Sequence, residues 1–198
     1  VKPGAYLYCG FSREISKEEL QQRIEENSIT EVLNKVEVQT GDVVFIPAGT
    51  IHAIGEGLLI CEIQQNSNST YRVYDYERRD KNGNLRDLHI DKALDVISTE
   101  CYQQNAYGLE APVTEGTTTS QKLCLCKYFE CTKYTVQENT SIYVDDASFV
   151  SIVVLSGSAI ISCQNETMEA KAGDSFFVSA GRKVVHVKGN CEFIITNI

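Results

Sequence analysis

The sequence predicts a mainly β protein of jelly-roll barrels, two in tandem, the first incomplete at its N-terminus and carrying a short helical insertion. Three observations lead there. The block Gly41-Asp42-Val43-Val44-Phe45-Ile46-Pro47-Ala48-Gly49 recurs as Gly173-Asp174-Ser175-Phe176-Phe177-Val178-Ser179-Ala180-Gly181, with five of nine positions identical. Short runs of β-branched and aromatic residues alternate with Gly-, Asp- and Asn-containing turns, the cadence of successive hairpins. Continuing in step, Gly57 meets Gly189, and each copy then enters an apolar run.

The second copy reads as complete. Phe149–Leu155 is a β-branched strand, Ser156-Gly157 a turn, Ala159–Cys163 a strand and Gln164-Asn165 another turn. Glu166–Ala170 leads into Gly173-Asp174, and Cys191–Ile198 closes the barrel. The cadence resembles the cupin jelly roll, a small double-sheet barrel. Laid on this pattern, Pro3-Gly4 takes the place of Ser156-Gly157, and Ala5–Gly10 that of Ala159–Cys163. The counterpart of Phe149–Leu155 is then expected before Val1, so the first barrel is expected to be incomplete and to leave an unpaired edge.

The first copy carries an insertion. Gly4 to Gly41 spans 37 positions and Gly157 to Gly173 spans 16, an excess of 21. Ser16 with Glu19 makes a capping box and Ile15 with Leu20 a hydrophobic staple, so a helix begins here. Leu20, Ile24 and Ile29 continue an apolar stripe, and a strand resumes near Val36. A second short helix is expected over Asp91–Ile97, with Leu94 and Ile97 facing inward. Tyr102–Gln121 is polar and rich in Gly and Thr, the composition of a linker. The expected organisation is therefore 1–101 as a partial first barrel with its insertion, 102–121 as linker, and 122–198 as a second, degenerate barrel.

Composition narrows the function. Across 198 residues, 42% are hydrophobic, enough for a substantial core. Mean hydropathy is −0.19, and no apolar run approaches the roughly 18 residues a membrane span needs. A net charge of −9 argues against non-specific binding to nucleic acid or anionic membrane. No signal peptide is read at the N-terminus. The eight cysteines are therefore expected as reduced thiols in a cytoplasmic protein. Cys124, Cys126 and Cys131 form the one tight cluster, with Cys124 and Cys126 on one face of a strand as ordinary buried thiols rather than metal ligands.

Three histidines are available, His52, His89 and His186. His52 follows the Pro47-Ala48-Gly49 turn on a strand expected to line a barrel, where a neutral imidazole could ligate a metal. A lone strand histidine can equally be packed or hydrogen-bonded. The ungapped repeat puts Val184 at the equivalent place, so the barrel does not itself require histidine there. His186 is expected to be a plain strand residue, and His89 to organise the turn before the second helix. Arg72 is placed on an aromatic-rich strand, Tyr71–Tyr76, following the polar loop after Cys61–Gln64. A planar guanidinium there could meet an anionic oxygen, or simply pair with Asp75 or Glu77.

The runs Gly41–Ala53 and Glu62–Tyr76 are very similar to the type I phosphomannose isomerases of the short bacterial form. The Lys2-Pro3-Gly4-Ala5 opening and the Leu88-His89-Ile90 segment also look like that family, so the resemblance covers essentially the whole chain. Asn68 stands where many relatives have Asp. The resemblance implies zinc-dependent interconversion of mannose 6-phosphate and fructose 6-phosphate, with one zinc per site. It implies that His52 is a metal ligand, since it matches the family's Pro-Ala-Gly-x-x-His-Ala histidine, and that Arg72 is the active-site arginine. The other ligands, a Gln and a His of a Gln-x-His motif and a later Glu, are expected upstream of Val1. A sugar phosphate is the implied partner. Two other readings stay open: a non-catalytic cupin serving as a sugar-binding or regulatory module, and a structural β-module that dimerises through the open edge.

Overall fold

The computed structural model describes residues 1–67, 69–76, 78–103, 109–181 and 183–198. Asn68, Glu77 and Arg182, and with them the family difference at Asn68 and the expected Arg72–Glu77 pairing, lie outside the described residues. The chain divides into two compact units, Val1–Gln104 and Asn105–Ile198. The protein is mainly β.

In the first unit, β1 (Tyr6–Phe11) is the central strand of a three-stranded antiparallel sheet, flanked by β2 (Leu33–Glu37) and β3 (His52–Ile54). Between β1 and β2 runs α1 (Lys17–Glu25), followed by a 3-10 turn at Ile29–Glu31. Ile15, Leu20, Ile24 and Ile29 are all buried in one cluster with Phe11, Val32, Leu33, Val73 and Ala93. The staple and stripe read from the sequence thus dock the helix. Burial of an aliphatic side chain of this kind contributes roughly 1.5–3 kcal/mol.

The capping box forms only by half. The Ser16 hydroxyl accepts the Glu19 N–H at 3.1 Å, but the Glu19 carboxylate turns to Arg13 (3.0 Å to Nη1) and Arg23 (2.8 Å to Nε) instead of the Ser16 N–H. Two guanidinium groups outcompete one backbone amide for the same oxygens. The second helix, α2 (Ile90–Val96), starts one residue earlier than expected. Ala93 is buried, with Leu94 and Ile97 packed against the same core.

Two strand expectations in this unit are corrected. Val43–Ile46, a strand by composition, lies outside the three-stranded sheet, and so does the region carrying Cys61–Gln64 and Tyr71–Tyr76. β-propensity describes fitness for a sheet and forms no strand without a ladder. The counterpart of Val43–Ile46 in the second unit, Ser175–Val178, does have one.

The second unit is an eight-stranded sheet system. It comprises β4 (Val113–Glu115), β5 (Thr118–Leu125), β6 (Glu130–Val136), β7 (Asn139–Val144), β8 (Val150–Cys163), β9 (Glu166–Lys171), β10 (Ser175–Val178) and β11 (Lys183–Asn197). The order is β10-β8-β11-β6-β5-β4, with β7 added on β11 and β9 on β8. Alternate residues of the long strands fill the interior: Val150, Ile152, Val154, Ile161, Val185, Val187, Phe193 and Ile195 share one buried cluster.

The linker expected over 102–121 is shorter than that, because β4 and β5 begin inside it. Thr114, Thr118 and Thr119 are polar but β-branched, and they pair across a turn at Gly116. The expected turn at Ser156-Gly157 is likewise absent: β8 runs straight through it. Gly157 has φ +74°, and a Cβ there would collide with the Asn190 carbonyl oxygen. The glycine is therefore used for close approach to β11, near the register shift at Glu192/Phe193.

The repeat found in the sequence is a repeated turn. The Asp42 carboxylate accepts the Gln39 N–H at 2.8 Å, and the Asp174 carboxylate accepts the Lys171 N–H at 2.9 Å. Each Asp N–H returns to the carbonyl three residues back, at 3.2 and 3.0 Å. The preceding glycines hold φ of +98° and +93°, a conformation only glycine adopts freely.

The Arg13–Glu19–Arg23 contacts hold the Glu19 carboxyl down to about 2, through its hydrogen bonds to Arg13 and then Arg23. Because the folded value is depressed, the contribution is present above about 4.5 and is lost as pH falls toward about 2. Urea midpoints of wild type and Glu19→Gln measured against pH should differ at neutrality and converge across that window. A gap that stays constant with pH would contradict the assignment.

Candidate functional site

His52 opens β3 and is the ladder partner of Cys9 in β1. Directly opposed residues share a face, so the imidazole stands on the side of the sheet that also carries Cys9, Leu7 and Ile54. The ring is exposed. Its Nδ1 lies 3.0 Å from the Thr50 carbonyl oxygen. A carbonyl oxygen only accepts, so Nδ1 carries the proton, and the neutral ring keeps its lone pair on Nε2. Metal-ligating histidines are oriented in this way, one nitrogen anchored on a backbone acceptor and the other presented outward.

Arg72 is fixed at its backbone by His89. The Arg72 N–H donates to His89 Nδ1 at 3.3 Å, and the His89 N–H donates to the Arg72 carbonyl at 2.7 Å. His89 directly precedes α2 as its N-cap residue without a side-chain capping bond, and its ring instead meets the Arg72 backbone. The Arg72 side chain is one-quarter exposed. Its Nη1 donates to the Asp87 carbonyl at 3.2 Å, and its Nε stands 3.8 Å from Asp75 Oδ1.

Asp75 is engaged elsewhere. Both of its oxygens are taken by Arg86, with Nε on Oδ2 at 2.6 Å and Nη2 on Oδ1. That hydrogen-bonded pair holds the Asp75 carboxyl below the usual aspartate range, against the opposing effect of burial. The simple Arg72–Asp75 pairing is therefore a loose contact rather than a hydrogen bond. Arg72 has five N–H donors, and among the described residues only its Nη1 makes a hydrogen bond, to the Asp87 carbonyl. Sequence reading missed Arg86, because an ion pair eleven residues apart through a loop leaves no periodic signal.

The two candidate residues share a foundation. Ile51, next to His52, and Val73 and Tyr74, next to Arg72, all pack in or against the core cluster that buries Leu20 and Ala93. His186, by contrast, is an exposed residue of β11 whose Nδ1 lies 2.9 Å from the Ser141 hydroxyl. Among the described residues, no three His, Cys, Asp or Glu side chains converge as metal ligands. His52 fits the donor chemistry of a zinc ligand, but one imidazole falls short of the three or four protein ligands such a site needs.

Comparison with known proteins bears on this arrangement. Residues 119–198 match the family described as mannose-6-phosphate isomerase, cupin domain. Mannose-6-phosphate isomerase ManA of Bacillus subtilis is 33% identical over 183 residues, covering 92% of this chain and 57% of the relative. The mannose-6-phosphate isomerase of Streptococcus mutans is 32% identical, covering 98% of this chain and 60% of the relative. The crystal structure of the Bacillus subtilis mannose 6-phosphate isomerase superimposes over 100% of this chain and 62% of its own, with a TM-score of 0.89 and 30% identity. This chain is homologous to the mannose-6-phosphate isomerases. It spans about three-fifths of the length of the isomerases it matches. No helix among the described residues is long and apolar enough to cross a membrane.

The His52 geometry has a direct spectroscopic consequence. Long-range ¹H–¹⁵N correlation spectra of the metal-free protein at alkaline pH should show the His52 ring as the Nδ1–H tautomer. A dominant Nε2–H form would remove the lone pair from the nitrogen assigned to the metal.

Proposed function

We propose that this chain carries part of the active site of a mannose-6-phosphate isomerase, interconverting mannose 6-phosphate and fructose 6-phosphate with zinc. The observation that carries the reading is the Nδ1–H···O contact from His52 to Thr50, which leaves Nε2 ready as a metal ligand. The homology to isomerases of that name supports the substrate class. The remaining ligands are assigned to protein upstream of Val1. This chain alone should therefore hold zinc weakly and turn over no substrate. We place the protein in the cytoplasm, a compartment that favours reduced thiols over standing disulfides.

An aldose–ketose isomerisation removes the proton beside the carbonyl and builds negative charge on oxygen in a cis-enediolate. Zinc, when bound, supplies Lewis-acid stabilisation of such charge or orients the sugar oxygens. His52 contributes an oriented, neutral nitrogen. Arg72 contributes N–H donors that complement the developing oxyanion, from a backbone fixed by His89 and with Asp75 occupied by Arg86. An interaction made chiefly in the transition state lowers kcat when removed.

Arg72→Ala, assayed by coupled mannose-6-phosphate isomerisation in the protein from its natural start, should lower kcat by about 10²- to 10³-fold and change KM less. A rise in KM with kcat preserved would recast Arg72 as a ground-state binding residue. Full folding with bound sugar phosphate but no turnover by the unmutated protein would favour the sugar-binding or regulatory module.

A further inference from the structure

We propose that Cys124 and Cys131 are a redox-active dithiol, a site at which the second unit forms a reversible cross-strand disulfide. They are direct ladder partners on β5 and β6. Opposed residues in an antiparallel pair have Cα atoms about 4.5 or 5.5 Å apart, depending on the pair type. Both values fall within the 4.4–6.8 Å or so that a disulfide spans, so the pairing brings the two thiols within bonding reach. Both side chains are buried, at 7% and 3% exposure, and each thiol lies near enough to perturb the ionisation of the other. The Cys131 sulfur also lies 3.4 Å from the Thr196 hydroxyl on β11, so it is held in place on its far side as well.

Cys126 is the neighbour that could compete. It lies across from Phe129, whose carbonyl accepts the Cys126 N–H at 3.0 Å where the hairpin turns. That puts Cys126 diagonal to Cys131, at about 7–8 Å by strand geometry, beyond easy disulfide reach. The register therefore selects Cys124 over Cys126, which lies just beyond β5 and is only half-buried, a departure from the shared strand face expected of the two.

The reaction balances with a peroxide as the two-electron oxidant. One thiol sulfur takes an oxygen from the peroxide, becoming a sulfenic acid and releasing water. The second sulfur then attacks it, the S–S bond forms, and the hydroxyl leaves with the second thiol's proton as another water. Thiol reductant reverses the bond by exchange. Burial keeps both thiols protonated, pushing Cys124 up to about 12. The thiolate is the reacting form, so the resting state is the dithiol, and closure is slow at neutral pH and faster in alkali.

The test is a thiol count and peptide map. The folded chain is treated with hydrogen peroxide at mildly alkaline pH, alkylated in denaturant and digested with trypsin. Cleavage after Lys127 separates Leu123–Lys127 from Tyr128–Lys133, so an interstrand bond appears as one joined species that reductant splits. The expected result is loss of two thiols and a joined species that survives Cys126→Ser and disappears in both Cys124→Ser and Cys131→Ser. A joined species that survives Cys124→Ser would overturn the assignment. So would oxidation confined to the exposed Cys61 and Cys101, read on the unmutated protein and so independent of how the variants fold.

Discussion

The first unit depends on one strand. Among the described residues, β1 is the only strand of its sheet paired on both sides, with β2 along one edge and β3 along the other. His52 takes its place because Cys9 is its ladder partner and because the Gly10 N–H donates to the Ile51 carbonyl at 2.7 Å. Gly10 sits where the β1–β2 register shifts, at φ +65°, which is the form of a bulge built on a left-handed glycine. Any Cβ there would collide with the Cβ of Tyr102. Tyr102 in turn donates its N–H to the Phe11 carbonyl at 2.9 Å and its hydroxyl to the Phe45 carbonyl at 3.1 Å. One irregular strand thereby fixes the candidate ligand, the chain after α2 and the segment following the Gly-Asp turn.

The internal repeat shows how one local device serves two ends. The Asp42 and Asp174 turns are built from the same hydrogen bonds around a left-handed glycine. The segments after the two turns differ. Beyond Asp174, Phe176 and Val178 enter a ladder with β8 and pack on an aliphatic core. Beyond Asp42, the chain passes through Ile46 and Pro47 and reaches His52 on a short strand. The turn is structural in both copies, so its recurrence marks the fold. The candidate site residues lie at positions the repeat does not share, the histidine at 52 against Val184, and Arg72.

Much of this was legible in the sequence. Local signals carried α1, because the Ser16 cap, the Ile15–Leu20 staple and the stripe through Ile24 and Ile29 each act within a few residues. The Gly-Asp turns were legible for the same reason. Strand boundaries were harder: Ser156-Gly157 has turn composition, yet the glycine serves a close crossing with Asn190 that no local rule reveals. Thr114–Thr119 read as linker because polarity masked β-branching. Val43–Ile46 and Tyr71–Tyr76 read as strands because propensity records what a residue tolerates, whereas a ladder needs a partner. At the site, His52 and Arg72 were found through the resemblance to a family. Their supports, the Thr50 carbonyl, the His89 ring and the Arg86–Asp75 pair, depend on tertiary placement.

The acidic character of the chain, −9 overall, makes the handling of Arg72 consequential. A cation that is to receive an anion must not be quenched by its own neighbours. Arg86 satisfies the nearby Asp75, while among the described residues the Arg72 guanidinium keeps only a carbonyl hydrogen bond and a 3.8 Å contact. The decisive comparison is mannose 6-phosphate turnover and zinc content of the protein from its natural start against those of its His52→Ala variant. If His52 holds the metal, the unmutated protein turns over substrate with about one zinc per chain, and a variant that remains folded loses both. Undiminished turnover and zinc in folded His52→Ala would contradict that role.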